Sequence, residues 1–516
     1  MNSLGPRASA RDTLLLFLIP LILLTLNLAG APLFDVDEGA FSEATREMFV
    51  RHDFISTWLN GEPRFDKPIL IYWLQAIPVA LAGVGEWSFR LPSALAAALW
   101  ASALGLFAWR RSGREAGWLA TLVAASSLGV FVIGRAATAD ALLNLWLTLA
   151  MLDGWRHLES RDKAPLRRMY LWIGLGVLTK GPIALAIPAI VTLLYCLSRR
   201  DLGAWLRASF DPIGWLILVA IAAPWYAAIY AVHGQAFIDG FIMKHNVGRF
   251  TGPMEGHGGS LFYYLLIVPV LLLPWTGLLV RGLREARRDS SDALRRFLWI
   301  WCGFVLIFFS FSGTKLPHYA LYGCSPLFLL IAHHRERLKS GFLSLLPALL
   351  LLALLAALPV LLERLIAAGA VKDSYYQAQL ARGVQAAGAS YLIACLVALA
   401  LVAALLFARA VPAWKRLAVS AIVTSLLLST VVTPFVGDLL QGPVKRAALA
   451  SRRYPETAVQ WNFFQPSFAV YRERQAPARE PRPGELALTR FDRLPKDVRV
   501  QTLYSEGGVR LVKVLP

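Results

Sequence analysis

Long apolar runs repeated along the whole chain are the feature that most restricts how it can fold. Many of these runs approach the roughly 20 residues that an α-helix needs to cross a hydrocarbon core about 30 Å thick. Hydrophobic residues make up 57% of the 516 positions, and charged residues only 16%. Helices on the surface of a soluble protein carry a polar stripe, and these runs lack one. The sequence therefore predicts an all-α polytopic membrane protein.

The apolar runs predict about 13 transmembrane helices. The run at 67–84 is left out, because a crossing there would break the alternation of basic and non-basic loops; we interpret it as interfacial or re-entrant. Two runs bounded by Arg pairs favour a hairpin. The predicted spans are 13–30, 90–109, 116–133, 138–154, 168–180, 181–198, 213–232, 260–280, 296–311, 318–333, 341–362, 389–408 and 416–434.

The net charge of +19 is distributed in a way that indicates membrane orientation and not nucleic-acid binding. Lys and Arg lie in short clusters in every second loop, and such loops face the cytoplasm in membrane proteins. We therefore expect a multi-pass protein of the bacterial inner membrane, with a cytoplasmic N-terminus that begins a signal anchor. The four cysteines fall in apolar runs and predict neither a disulfide framework nor a CxxC metal site.

The composition changes near residue 435, which divides the chain into a transmembrane domain, 1–434, and a small C-terminal domain, 435–516. The second part is polar and rich in proline, and its predicted place is the periplasm. Short runs typical of β-strands occur in "SFAVYRE", "ELALTR" and "VQTLYSEGGVRLVKV", the last with a "GG" turn that indicates a hairpin. A small α/β domain is expected here.

An acidic stretch, "LFDVDEGAFSEATREM", follows the first apolar run. Apolar residues from Phe41 onward repeat with helical spacing, which predicts an amphipathic helix lying on the outer leaflet, so that the 31–89 loop would hold interfacial helices. Asp37 and Glu38 stand at its start, where an anionic side chain can simply cap free N–H groups. The alternative is that these two carboxylates take part in catalysis.

Other ionisable residues fall at predicted outer turns, next to Gly or Pro. Ionisable groups at membrane depth are costly and usually functional, although each one alone could be a solvated loop charge. Carboxylates suit a general base, and Lys or Arg suits a phosphorylated leaving group. The residues at these turns are Arg135, Asp140, Lys180, Lys315, His318 and Tyr319.

Such a set on the outer face of a membrane indicates transfer of a group that arrives on a lipid, because nucleotide sugars are absent there. Transfer from a polyprenyl phosphate fits this requirement. A lipid or anion transporter is the alternative from another class, but transporters show internal repeats and broken helices at the midplane, and this sequence shows no repeat. A ligase or polymerase of longer glycans stays open.

Several blocks resemble the GT-C glycosyltransferases, in the order that this superfamily shows. They are "DVDEGAFSEATREMF" with "FDKP", "GRAATADALL", "GVLTKGP", "KHNVGRFTGPMEGHGGS" and "FSGTKLPHY". The sequence is most similar to the ArnT-like group, the lipid A aminoarabinose transferases, which are related to the protein O-mannosyltransferases (glycosyltransferase families 39 and 83). The resemblance covers residues 13–335 well.

The resemblance implies an enzyme that moves an aminoarabinose-like or other sugar from undecaprenyl phosphate to a periplasmic acceptor such as lipid A. A protein O-glycosyltransferase is the alternative. It also implies roles for single residues, and in some relatives a divalent metal. The implied catalytic residues are Asp37, Glu38 and Asp140; the donor-phosphate or substrate-binding residues are Arg64, Lys67, Arg135, Lys180, Lys315, Tyr319, His245 and Arg249; the candidate metal ligand is His257.

Overall fold

A computed structural model describes residues 5–248, 252, 258–289, 291–338 and 340–516. The chain is mainly α-helical. Strands β1 (Trp58–Leu59) and β2 (Glu62–Pro63) form a short antiparallel pair, and a four-stranded sheet lies near the C-terminus. Two π-helical segments, Ile238–Gly248 and Leu428–Val432, and a 3-10 helix, Pro317–Gly323, interrupt the α-helices. The α-helices are α1 (Ala10–Thr25), α2 (Asp37–Arg51), α3 (Leu70–Ala82), α4 (Glu86–Ser112), α5 (Arg114–Ser126), α6 (Leu128–Gly134), α7 (Asp140–Ser160), α8 (Lys163–Lys180), α9 (Ile183–Ser198), α10 (Leu202–Ser209), α11 (Pro212–His233), α12 (Gln235–Phe237), α13 (Tyr263–Leu271), α14 (Thr276–Asp289), α15 (Ala293–Ser310), α16 (Ser325–His333), α17 (Gly341–Ala367), α18 (Ser374–Leu380), α19 (Gly383–Ala404), α20 (Ala413–Leu427), α21 (Thr433–Ser451) and α22 (Ser467–Arg472).

Six helical stretches in the described residues are long and apolar enough to cross a membrane. The number rises to seven if α5 and α6, which meet at a bend of 63°, form one broken span. α3 has 13 residues, fewer than the roughly 20 needed for a crossing, as expected for the segment interpreted as interfacial or re-entrant. The coarse prediction of a helical membrane protein with several spans is confirmed.

Buried polar contacts fix the helices of the N-terminal half against one another. The indole Nε1 of Trp100 in α4 donates to Ser325 Oγ in α16 over 2.8 Å, and Thr148 Oγ1 in α7 lies 2.7 Å from the same hydroxyl. All three side chains are buried. Because buried polar groups need partners, this three-way contact sets the relative positions of α4, α7 and α16.

The turn between α8 and α9 places Lys180 at a helix end. Gly181 follows it with φ +93°, a left-handed conformation that glycine adopts without strain. A Cβ at this position would stand 2.7 Å from Phe241 Cζ, so the turn also allows the π-helical segment Ile238–Gly248 to approach. One glycine thereby brings Lys180 and the segment that carries His245 to the same region.

α2 is covered by protein and does not lie on the membrane surface, so the prediction of an outer-leaflet amphipathic helix needs correction. Every residue from Glu38 to Met48 is buried. Two charged side chains of the helix pair with each other, because Arg46 donates to both oxygens of Glu43 over 2.7 Å. Arg46 also donates to the backbone oxygen of Glu473, in the C-terminal part. The predicted helix is confirmed, but its polar side faces protein partners.

The C-terminal part contains the predicted sheet, in the order β3-β4-β6-β5. β3 (Ala458–Gln460) pairs in parallel with β4 (Leu486–Arg490), and β5 (Val500–Glu506) and β6 (Val509–Val514) form the expected hairpin. The boundary predicted at 435 falls inside α21, which continues to Ser451. "SFAVYRE" is the helix α22 and not a strand. Its residues are buried on every face. Its sequence therefore shows neither the 3.6-residue period of an amphipathic helix nor the two-residue alternation of a half-buried strand.

A glycine in α2 allows the C-terminal part to dock closely. A Cβ on Gly39 would stand 2.0 Å from Asp35 Oδ1 and 2.5 Å from the backbone nitrogen of Ser467. Asp35 accepts hydrogen bonds from the backbone N–H of Ser467, over 2.9 Å, and from its hydroxyl. Burial raises the pKa of Asp35 to about 7. The start of α22 is thus fastened two residues before Asp37.

Candidate active site

A buried carboxylate and a lysine join three predicted outer turns. Lys180 Nζ, at the end of α8, donates to Asp140 Oδ1 at the start of α7 over 2.5 Å. The hydroxyl of Tyr322 lies 3.0 Å from the same oxygen and 2.7 Å from Lys180 Nζ. His318 Nε2 is 3.5 Å from Asp140 Oδ1. We call Asp140, Lys180, His318 and Tyr322 the Asp140 cluster. It places one negative charge among cationic and hydroxyl groups.

Aromatic rings enclose the lysine of this cluster. Lys180 Nζ lies over the ring of Tyr319, 5.3 Å from its centroid, and 5.5 Å from that of Tyr322. Phe309 packs against Tyr319 with 4.8 Å between ring centroids. Aromatic faces attract a cation within about 6 Å. Tyr319, expected in the donor site, therefore helps to hold Lys180 in place.

A second cluster forms around Asp66, on the loop before α3. Lys67 Nζ donates to Asp66 Oδ1 over 2.7 Å, and the guanidinium of Arg64 donates to Asp66 Oδ2 over 3.0 Å. His245 Nδ1 lies 3.0 Å from Asp66 Oδ1. Arg64 also donates to the hydroxyl of Tyr72. We call Arg64, Asp66, Lys67 and His245 the Asp66 cluster. Three of the predicted substrate-binding residues lie together here.

Asp37 stands between the two clusters. Within the described part of the chain its carboxylate forms no hydrogen bond or ion pair, and it stays accessible to solvent. Desolvation by the surrounding protein raises the pKa of Asp37, and the charge of Asp140 raises it further; the positive charge of Lys67 acts in the opposite direction. An accessible carboxylate with a raised pKa has the properties of a general base.

Glu38, predicted as catalytic, is placed very differently from its neighbour. Arg90 donates to both oxygens of Glu38, over 2.8 and 2.7 Å. The backbone N–H groups of Phe34 and Ala137 donate to the same carboxylate over 2.9 and 2.7 Å. Four donors occupy a group that is only 3% exposed. The geometry favours a positioning role for Glu38, which ties the start of α2 to α4 and to the loop before α7.

Two further predicted substrate-binding residues donate to backbone carbonyls. Arg135 donates to the backbone oxygens of Leu24 and Leu26, each over 2.8 Å, and so caps the end of α1. Lys315 Nζ donates to the backbone oxygen of Ser312 over 2.8 Å and is 8% exposed. Both cations satisfy backbone carbonyls in this structure.

Two cavities meet at Asp37. The first has a volume of about 470 Å³ and apolar walls from α6 and the α20–α21 region; Asp140, Arg135 and His318 line it as well. The second, of about 830 Å³, has more polar walls than the first and is lined by Arg64, Asp66, Lys244 and His245, with Phe464 of the C-terminal part; we call the first the apolar cavity and the second the polar cavity. Asp37 lines both cavities. One carboxylate can thus act on a group where the two spaces join.

Two predicted site residues, Arg249 and His257, lie outside the described residues. In the described ranges no group of three or more His, Cys, Asp or Glu side chains could hold a metal ion. His245 and Asp66 supply only two such ligands. The metal role of His257 stays a prediction, and the described side chains alone do not form a metal site.

Three residues that matter to this geometry were missed by sequence reasoning. Tyr322 bridges Asp140 and Lys180, Arg90 clamps Glu38, and Ser467 binds Asp35. Arg90 carried a usable signal, because an arginine inside an apolar helix needs a partner. Ser467 carried none, since more than four hundred residues separate it from Asp35.

Known proteins share both sequence and fold with this chain. Residues 66–227 match a protein family described as dolichyl-phosphate-mannose-protein mannosyltransferase. Two relatives are named undecaprenyl phosphate-alpha-4-amino-4-deoxy-L-arabinose arabinosyl transferase. The one from Aeromonas salmonicida is 34% identical over 335 residues, which cover 62% of this chain and 59% of that protein. The one from Edwardsiella ictaluri is 33% identical over 319 residues, covering 60% and 57%. The match thus spans less than two thirds of these relatives.

The crystal structure of ArnT from Cupriavidus metallidurans bound to undecaprenyl phosphate matches over 98% of both chains, with a TM-score of 0.81 and 21% sequence identity. This protein therefore has the same fold as that ArnT. The apo structure of the same ArnT gives a TM-score of 0.78 over 97% of both chains, at 21% identity. The resemblance to the ArnT-like group is confirmed, and the chain is a multi-pass membrane protein.

Proposed function

We propose that this protein is a membrane glycosyltransferase that moves a sugar, aminoarabinose-like or another pentose or hexose, from undecaprenyl phosphate to an acceptor such as lipid A. One observation carries the proposal: Asp37 has an accessible carboxylate where an apolar and a polar cavity meet, between two clusters that contain Lys and Arg. The relatives named for undecaprenyl phosphate-linked aminoarabinose transfer support this choice of donor.

In the proposed reaction Asp37 acts as general base. It takes the proton from an acceptor hydroxyl or phosphate, and the acceptor oxygen attacks C1 of the donor sugar. The bond between C1 and the phosphate oxygen breaks, so that polyprenyl phosphate leaves with the electron pair. A raised pKa brings Asp37 closer to the operating pH, where a base is most effective.

The cations of the two clusters would stabilise the leaving phosphate. Lys67 and Arg64 share Asp66, and Lys180 shares Asp140, so each acid holds a cation in place beside Asp37. Preorganised charges aimed at developing negative charge give a large part of enzymatic rate enhancement. We assign Asp140 and Asp66 the role of positioning these cations.

The two cavities suggest how the substrates approach. The apolar cavity has walls from α6 and α21, including the exposed side chain of Val132, and suits a polyprenyl chain that enters from the membrane. The polar cavity lies under the C-terminal part and suits an acceptor headgroup. In this arrangement the two substrates reach Asp37 from opposite sides.

The orientation follows from the basic loops. We propose 13 crossings, a cytoplasmic N-terminus and a periplasmic C-terminal part in the bacterial inner membrane. Positive loops stay on the cytoplasmic side, and "WRRSGR" and "HHRERLK" lie on the predicted inner side. The broken pair α5–α6 and the pair α8–α9 would then each contribute to the crossings.

The test is transfer of a labelled sugar from undecaprenyl phosphate into lipid A, in vesicles that contain the full chain. Asp37→Asn should lower the rate by about a hundredfold or more, since general bases contribute 10²–10⁴-fold. Asp497→Asn makes the same chemical change at an exposed site of the C-terminal part and should leave the rate unchanged. Equal rates in the two variants, at equal protein levels, would reject the proposal.

A protein acceptor is the second candidate, favoured by the family match over residues 66–227. The same assay separates the two. Label in the lipid A fraction supports the first function, whereas label in the protein fraction supports polyprenyl-phosphate-dependent protein O-glycosylation.

A further inference from the structure

A groove in the C-terminal part stays unused by the reaction described above. Its volume is about 810 Å³, and it lies where β3 ends and the chain passes towards α22. Phe464, Asn462 and Gln460 come from this passage, and Arg479 and Arg493 come from two later segments. The size is within the range of about 300–1,000 Å³ that small-molecule sites show.

The groove continues into the catalytic cavity through one side chain. Phe464 lines both the groove and the polar cavity that contains Asp37. The side chain is 40% exposed although it is fully apolar. Three residues later Ser467 binds Asp35, so the same short segment carries a ring of the groove and fastens the loop before Asp37.

The groove is held rigidly by its own hydrogen bonds. Gln460 Nε2 donates to the backbone oxygen of Ala476 over 2.7 Å, and the guanidinium of Arg493 donates to the backbone oxygen of Asn462 over 2.6 Å. Neighbouring Phe463 packs on Tyr375 with 5.1 Å between ring centroids. Sites on rigid elements keep their polar groups in place for a ligand.

The lining chemistry fits a saccharide better than an anion. Arg479 is paired with Glu485 through two contacts of 2.8 Å, and Glu480 adds a negative charge to the lining, so the positive charge of the groove is largely offset. An exposed ring together with amide, carboxylate and guanidinium groups provides one apolar face and several hydrogen-bonding groups. A sugar ring presents the same combination of a C–H face and surrounding hydroxyls.

A peptide fits less well, because the strand edge beside the groove is occupied. The backbone N–H of Gln460 donates to the oxygen of Pro477 over 2.9 Å, and Gln460 forms a parallel bridge with Ala478. An extended peptide usually binds by adding a strand to an open edge. That edge is covered at this point of β3.

We propose that this groove is a second saccharide subsite for the acceptor, with Phe464 as the ring that a sugar packs against. The inference rests on the proposed glycosyl transfer. One acceptor sugar would lie next to Asp37, and the next sugar unit would lie beyond Phe464 in the groove. The acceptor class is therefore a glycolipid with at least two sugar units.

A labelling experiment tests occupancy of the groove without relying on catalysis. The four native cysteines are buried, so Phe464→Cys gives one accessible thiol in the full-length protein. Lipid A, whose headgroup is a disaccharide, should slow maleimide labelling of this thiol at least threefold. Phe491→Cys is the matched control, since Phe491 is 38% exposed on the same domain and does not line the groove. Ala478→Cys reports the groove alone, because Ala478 is exposed and lines the groove but not the polar cavity. Equal protection at Phe464→Cys and Phe491→Cys, or no protection at Ala478→Cys, overturns the inference.

Kinetics separate this inference from the proposed function. Phe464→Ala should raise the KM for lipid A about fivefold or more and leave the KM for the polyprenyl donor unchanged, whereas Phe491→Ala should change neither. Wild-type protein should prefer lipid A over its monosaccharide counterpart, and Phe464→Ala should lose that preference. If Phe464→Ala transfers sugar with an unchanged KM for lipid A, only the proposed subsite in the groove is rejected. Transfer into peptide with a raised peptide KM rejects the saccharide assignment, and absence of any transfer rejects the proposed function itself.

Discussion

The adjacent acids Asp37 and Glu38 should differ in what a mutation affects. Mutation of Asp37 should reduce transfer and leave stability unchanged, whereas breaking the ion pair of Glu38 should reduce stability. Glu38 is a buried anion with four donors, two of them from Arg90. Arg90→Met leaves that anion with only its two backbone donors. Removing one partner of a buried ion pair costs about 3–5 kcal/mol. Arg90 also donates to the backbone oxygens of Leu28, Ala31 and Pro32, which lose their partner as well.

The stability loss expected for Arg90→Met can be compared with the loss expected at an exposed ion pair in the same protein. Arg111 donates to both oxygens of Glu159, but the Glu159 side chain is 38% exposed. Exposed pairs contribute about 0–1 kcal/mol, so Arg111→Met is the matched control. Glu38 and Arg90 both line the apolar cavity, where water can hydrate what the mutation uncovers, so we expect the lower end of the 3–5 kcal/mol range.

Thermal unfolding of the purified protein in detergent measures the difference. Using about 2–4 °C per kcal/mol, a loss of about 3 kcal/mol in Arg90→Met should lower the midpoint by roughly 6–12 °C, and Arg111→Met should lower it by less than about 4 °C. The double variant Arg90→Met with Glu38→Gln should recover part of the loss, because the unpaired anion is gone. Asp37→Asn should keep the wild-type midpoint while losing transfer.

Two results would refute this reasoning. Equal shifts for Arg90→Met and Arg111→Met would show that the Glu38 pair does not hold the start of α2. Glu38→Gln with a wild-type midpoint and no transfer would show that Glu38 takes part in the reaction, as the sequence predicted.

Two further predictions concern the pH profile and the docking of the C-terminal part. Because Asp37 must be ionised to act as a base and its pKa is raised, transfer should fall on acidification above the usual carboxyl range. Asp140→Asn removes a charge that raises this pKa, so the acid limb of the remaining activity should move to lower pH. Gly39→Ala places a Cβ within 2.5 Å of the Ser467 backbone. This should lower the free energy of unfolding by about 1–3 kcal/mol, seen as a lower unfolding midpoint, and should reduce transfer. Gly85→Ala, where a Cβ meets open space, should change both little.

The helical membrane fold could be predicted because it depends on composition over long windows. An apolar run of about 20 residues indicates a membrane crossing regardless of which helices it packs against. The two-strand signal around "EGG" near Gly507 was equally local, and the β5–β6 hairpin is present. Both features depend on residues that are close together in the sequence, so one sequence is enough to predict them.

Features that depend on distant partners were not predictable from one sequence. Glu38 and Asp37 are neighbours with the same charge, and only the folded position of Arg90, 52 residues away, distinguishes them. The helical period of α2 was visible, but the protein that covers its polar face was not. α22 was misread as a strand because burial on all sides removes the polar alternation on which both helix and strand patterns rely.

The helical stretch Ala413–Ser451, which includes the π-helical segment Leu428–Val432, has 39 residues. At 1.5 Å per residue it is about 58 Å long, nearly twice the hydrocarbon thickness of a bilayer. The sheet and the Phe464 segment follow directly after its far end. A tilt of a few degrees at its base would therefore swing that end by several ångströms. Because the backbone N–H of Ser467 is bound to Asp35 over 2.9 Å, such a tilt would pull on the loop that precedes Asp37.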